Sequence, residues 1–143
     1  MAHNIDMTNG RANMAFLGQR NDIWHRMDQE MAAGQSIEQW AQAAGLGWSA
    51  VKVPAVVALE GAAFDHIPAE KRFLRAPVRS FVVRSDTAGL LGYVSGETES
   101  SGYQIVQPAD VLAWFDRYIA VDDRFALDVA GSLDGGKRIW ATA

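Results

Sequence analysis

Few side chains in this 143-residue chain have the type and spacing for chemistry. Its three histidines, His3, His25 and His66, stand far apart, and none forms an HxH, HExxH or His-carboxylate run at metal-ligand spacing. Asp122 and Asp123, with Asp128 close behind, offer hard oxygen ligands for Mg²⁺. A hard-cation site needs several converging oxygens, however, and a paired acid after a helix more often caps or solvates the next element. Ser95 in "GYVSG" sits one position late for a nucleophile elbow, and it lies on a hairpin and not on a strand-to-helix turn. There is no Walker loop and no G-x-G-x-x-G, and "SLDGGK" reads as a turn. The chain has no cysteine, which removes disulfides, thiolate zinc sites and cysteine nucleophiles. The expectation is a protein that is not an enzyme and carries neither catalytic residue, metal nor cofactor.

Charge is the stronger signal. The net charge is −4, unevenly spread. Residues 60–84 hold five Lys/Arg against three Asp/Glu, whereas residues 85–143 hold four against nine. The basic cluster is Lys71, Arg72, Arg75, Arg79 and Arg84, the residue set that would neutralise phosphates. The acidic half supplies Glu97, Glu99, Asp116, Asp122 and Asp123, which would instead meet a basic partner. Five tryptophans complete the inventory. Trp40 and Trp140 fall in apolar patterns and read as core; Trp24 and Trp48 sit beside element ends. Trp114 lies on the helix face opposite Val111, Phe115 and Ile119 and is a candidate surface anchor. Aromatics beside Arg79 and Arg84 would suit stacking on unpaired bases.

The elements that must position these residues are legible in part. Apolar residues make up 49% of the chain, enough for one domain with a hydrophobic core. Residues 1–20 lack periodicity and read as an irregular arm, with residues 21–143 forming a single domain. Apolar residues at 23, 27 and 31 predict a short helix from Asn21 or Asp22. "SIEQWAQAAGL" predicts a two-turn helix: Ser36 and Gln39 form a capping box, and Gly45 stands at the left-handed C′ position. The stretches "WSAVKVPAVVAL", "VRSFVVRS", "LLGYVSG" and "YQIVQ" predict strands, with Pro54 marking an edge or bulge and "SDTAG" joining a hairpin. Pro108 opens a second helix, "PADVLAWFDRYIAV". "LDVAGSLDGGKRIWATA" predicts a last hairpin turning at Asp134, Gly135 and Gly136, with Lys137 to Thr142 an unprotected edge that can pair with a second copy. The class is α+β: a mainly antiparallel sheet built from hairpins, with two to three short helices packed on it.

Several stretches, namely "FLGQRNDIWHRM", "SIEQWAQAAGL", "FVVRSDTAGLLGYVS", "YQIVQP", "VDDRF" and "RIWATA", resemble in matching order the N-terminal part of domain-of-unknown-function family 932, also called phage/plasmid-like proteins. The resemblance implies that relatives continue well beyond the "RIWA" strand, so the chain reads as a family domain cut after a strand. It also implies a tight connection between "GYVS" and "YQIV", where this chain has the acidic "GETESSG".

The N-terminus shows no charged region followed by an apolar one, and Val53 to Leu59 is too short to span a bilayer, so a protein of the bacterial cytoplasm with no membrane partner is expected. The first functional expectation, resting on size and charge, is a mobile-element protein that inhibits a host protein or ribonucleoprotein defence complex, such as a CRISPR effector, through Glu97, Glu99, Asp116, Asp122, Asp123 and Trp114. The alternative is a single-stranded DNA-binding or annealing factor of phage recombination that uses Lys71, Arg72, Arg75, Arg79 and Arg84.

Overall fold

The computed structural model describes residues 4–18, 29–95, 103–121 and 124–143. Its most locally determined element is α1, Ile37–Ala43. The Ser36 side chain accepts from the Gln39 N–H, and the Gln39 side chain accepts from the Ser36 N–H at 2.8 Å, so the predicted capping box is present. At the other end the Gly45 N–H donates to Gln42 O and the Leu46 N–H to Ala41 O, a Schellman closure. Gly45 takes φ +64°, which a side chain would strain, and its Cα packs against Asn13.

Where an irregular arm was expected, residues 4–18 form strands. β1 (Met7–Thr8) and β2 (Arg11–Ala12) form an antiparallel hairpin, turned at Asn9 and Gly10, both with positive φ. That is a primed two-residue turn, for which Asn-Gly is the favoured pair. β3 (Met14–Leu17) follows, with Met14, Ala15 and Phe16 buried. It lies in the middle of a four-stranded sheet, parallel to β4 (Gln29–Met31) and antiparallel to β8 (Val129–Leu133). Residues 29–31 are therefore strand where the four-residue spacing predicted helix; the rest of that expected helix, with Trp24 and His25, lies outside the described residues. β9 (Arg138–Thr142) completes the sheet as its edge, joined to β8 through a 3-10 turn at Asp134–Gly136.

A second sheet holds β5 (Ala50–Ala58), β6 (Phe73–Arg84) and β7 (Leu90–Ser95), all antiparallel. β5 is an edge strand, and its register shifts between Pro54 and Val56, as the proline predicted. The expected "YQIVQ" strand does not form: residues 103–107 are irregular. The Gln107 side chain takes the place of a ladder partner, accepting from the Ala50 N–H at 2.8 Å and donating to the Ala50 carbonyl at 3.0 Å. Gln107 then caps α2 (Pro108–Ile119), its own N–H donating to Asp110 Oδ2.

Both α-helices bury their apolar sides with the four-stranded sheet, around Ala15, Met31, Trp40, Leu46, Leu112, Leu127 and Ala130. Trp48, Ala50 and Val82, with Leu91, Val94, Ile105 and Ile139 packed against them, join the inner face of the second sheet to this body. Among the described residues the class is α+β, mostly antiparallel, with two α-helices and short 3-10 turns. Among the described residues no helix is long and apolar enough to cross a membrane.

Candidate functional site

Directly opposed residues of an antiparallel pair share a face of the sheet. In the second sheet Val53, Phe81 and Tyr93 are successive cross-strand partners and make a row over β5, β6 and β7. Two positions along, Arg79 faces Ser95; two positions the other way, Val51 faces Val83. This outer face is wet and apolar at once: Tyr93 is 77% exposed and Phe81 38% exposed. Arg79 stands exposed at one end of the row. The inner face carries the packed Ala50, Val82 and Val94 instead. Aromatic rings with a neighbouring guanidinium on an open sheet form a surface on which planar groups can stack and anions can be met.

Beyond β7 the sheet narrows to two strands, Val56–Ala58 against Phe73–Arg75, with Val56, Val57, Phe73 and Leu74 about half exposed or more. Val78, at φ +54°, marks where β6 kinks between the two registers. A β-branched residue there is strained, and only the surrounding pairing holds it.

The five basic residues predicted as one cluster divide by environment. Lys71, Arg75 and Arg79 are exposed. Arg72 braces the loop before β6, donating to the carbonyls of Ile67 and Asp65 at 2.7 and 3.1 Å and lying 3.6 Å from the Asp65 carboxylate. Arg84 is turned inward with its side chain 6% exposed. Its Nε and Nη2 donate to the two Asp86 oxygens at 2.9 and 2.7 Å, and its Nη1 lies 3.8 Å from Asp6. Asp6 also accepts from the Ser132 hydroxyl at 2.7 Å and from the Gly135 N–H at 2.5 Å. These hydrogen bonds from Arg84 hold the Asp86 carboxyl below its usual pKa. Arg84 is thus a clamp between the two sheets and is closed to phosphate. Trp48, expected beside an element end, is buried beneath it.

Of the acidic candidates, Asp116 lies exposed on α2, while Glu97, Glu99, Asp122 and Asp123 lie outside the described residues. Trp114 is 58% exposed, as its helical position predicted, and stacks on Tyr118 with ring centroids 5.5 Å apart. Tyr118 in turn meets Phe125 edge-on. Trp40 is core and Trp140 half-buried. His66 is exposed, and Ser95 ends β7 on the surface. Among the described residues no three His, Asp or Glu side chains come together to hold a metal.

Phe81 and Tyr93 were missed as site residues because alternation in "SFVVRS" and "LLGYVS" is imperfect. The bulge between Val82 and Val83 shifts the register, so the exposed face is readable only once the strands are paired.

No curated protein and no solved structure matches the chain. The model of the family described as domain of unknown function (DUF932) matches residues 97–143, which contain α2, β8 and β9. The match takes in "YQIVQP", "VDDRF" and "RIWATA" and leaves out the three stretches N-terminal to them, so the likeness expected along nearly the whole chain is narrower. Over its C-terminal part alone, residues 97–143, the chain is similar to domain-of-unknown-function family 932.

Proposed function

We propose that the chain is a non-enzymatic binding module that takes single-stranded nucleic acid on the outer face of its three-stranded sheet. The reading is carried by one observation: Phe81 and Tyr93 face each other across β6 and β7, with Arg79 on the same face two positions away. Bases stack on the two rings, and Arg79, with Arg75 and Lys71 further along, meets the phosphates. The net charge of −4 is compatible with this because Asp110 and Asp116 sit on α2, which packs against α1 and β9. A role in strand annealing for a phage or plasmid follows from the family resemblance. Fluorescence anisotropy of labelled single- and double-stranded DNA at two salt concentrations tests it. Binding that prefers the single strand and weakens steeply with salt supports the reading, and no binding at low salt removes it.

A second reading draws on α2. Trp114 and Tyr118 stack in solvent, an aromatic anchor of the kind enriched at protein interfaces, and Asp116 stands exposed on another side of the same helix. Inhibition of a host defence complex such as a CRISPR effector through this face is its concrete form. Purified effector that still binds its target with a large excess of this protein present would count against it.

A further inference from the structure

A cleft of about 380 Å³ opens on the opposite side of the Arg84 clamp, between the β1–β2 hairpin, the end of α1 and the β6–β7 turn. Its lining holds one buried polar group without a partner and one unbonded amide that faces the cleft. Asn13 is 4% exposed, and no hydrogen bond reaches its side-chain amide from any described residue. The Trp48 indole N–H is buried with no acceptor. Buried polar groups are ordinarily bonded, so the unbonded indole N–H, with an unbonded amide on the same cleft, calls for an explanation. Asn13 is also held in place: a Cβ on Gly45 would come within 2.5 Å of the Asn13 side chain, so backbone is packed directly against the amide. A pinned amide is preorganised for a ligand.

The remaining lining narrows the ligand class. Gln29 and Gln42 add two further amides, so the wall offers paired donors and acceptors of the kind that match a base edge. Arg11 is exposed on the cleft with no ion-pair partner among the described residues, whereas Asp86 is already answered by both Arg84 nitrogens. The cleft therefore presents one uncompensated guanidinium, the group best shaped for a phosphate. We propose that this cleft binds a nucleoside monophosphate, its base edge bonded by Asn13 and the Trp48 N–H and its phosphate by Arg11. The same unit occurs free or as the 5′-phosphorylated end of a strand. The site shares no residue with the Arg79–Phe81–Tyr93 face and does not rest on that reading.

Isothermal titration calorimetry with AMP, GMP, CMP and UMP tests it, with adenosine and inorganic phosphate as controls. At least one monophosphate should bind at about 100 µM or tighter. Arg11→Gln, at an exposed position, should weaken it about tenfold, and the parent nucleoside should bind the unaltered protein correspondingly less well. Asn13→Asp should weaken it about tenfold and lower the melting temperature, because the new carboxylate is buried; Gln42→Ala, at an exposed position of the lining, should weaken it with the melting temperature unchanged, and Tyr93→Ala should leave it alone. A 5′-phosphorylated hexanucleotide that competes as well as the monophosphate assigns the site to strand ends; one that fails to compete assigns it to free nucleotide. No heat from any monophosphate at millimolar concentration overturns the proposal. So does binding that survives both Arg11→Gln and Asn13→Asp, or that falls with Tyr93→Ala.

Discussion

The Arg84 guanidinium lies 4.5 Å from the centroid of the Trp48 ring while both its outer nitrogens point to carboxylates, Asp86 at 2.7 Å and Asp6 at 3.8 Å. One cation thereby ties the N-terminal segment, the end of β6 and the core of the second sheet. Breaking a buried ion pair by removing one partner leaves the other charge uncompensated, which costs more than the pair itself contributes. Arg84→Met should lower unfolding stability by about 3 kcal/mol, measured by urea denaturation. Adding Asp6→Asn should restore part of that loss. A double variant whose losses simply add would show that Asp6 and Arg84 do not communicate.

Acid should loosen the same clamp from its other side. The Arg84 hydrogen bonds lower the Asp86 pKa against a smaller opposing effect of burial. A depressed carboxyl stabilises the fold fully above its unfolded pKa, about 3.9, and the contribution is lost as pH falls through the lower folded value. Melting temperatures of the protein and of Asp86→Asn should therefore differ at pH 6 and converge as the pH drops below about 4. A constant gap from pH 6 to pH 2 would mean that Asp86 contributes through shape alone.

Gly135 and Gly136 make a contrast within one turn. Both have positive φ, +74° and +90°. A Cβ at Gly135 meets open space, but one at Gly136 would lie 2.7 Å from Trp48 Cζ2 and 3.2 Å from Arg84 Nη1. Gly135→Ala should cost about 1 kcal/mol, from backbone strain alone. Gly136→Ala should cost about 3 kcal/mol, because Trp48 must also give way. Equal losses in thermal melts would mean that Trp48 moves freely.

Legibility in the sequence followed how local each cause was. Helix α1 carries both caps within ten residues, so Ser36, Gln39 and Gly45 predict it without reference to the rest of the chain. The terminal hairpin and the β6–β7 hairpin were equally local. Strand β3 was not, because its partners are the parallel β4 and the distant β8, the latter over a hundred residues away, and its three consecutive buried residues show no alternation. The Asn9-Gly10 pair favours a primed turn, but β1 and β2 are only two residues each, too short to show the alternation that marks a hairpin. Residues 103–107 looked like a strand by composition, yet one side chain, Gln107, supplies the pairing with Ala50 that a backbone ladder would have made. Arg84 was grouped with exposed cations because charge is visible in sequence and burial by distant acids such as Asp6 is not.

The outer face of the second sheet makes a last prediction with separable parts. Tyr93 and Phe81 stand in solvent as partners, so removing either ring takes away stacking area without opening the core packed on the inner face. Stacking is worth about 1–3 kcal/mol per base, so Tyr93→Ala should weaken single-stranded DNA binding by about tenfold or more, with little change in stability. Arg79→Gln acts differently, because a phosphate contact is electrostatic: affinity falls for every sequence, and the slope of log affinity against log salt drops by about one. Arg84→Lys serves as the control, since a buried cation that clamps Asp6 and Asp86 should leave the salt slope unchanged. If Arg79→Gln and Tyr93→Ala bind as the unaltered protein does, the strand lies elsewhere. If Arg84→Lys lowers the slope as Arg79→Gln does, the clamp opens when nucleic acid binds.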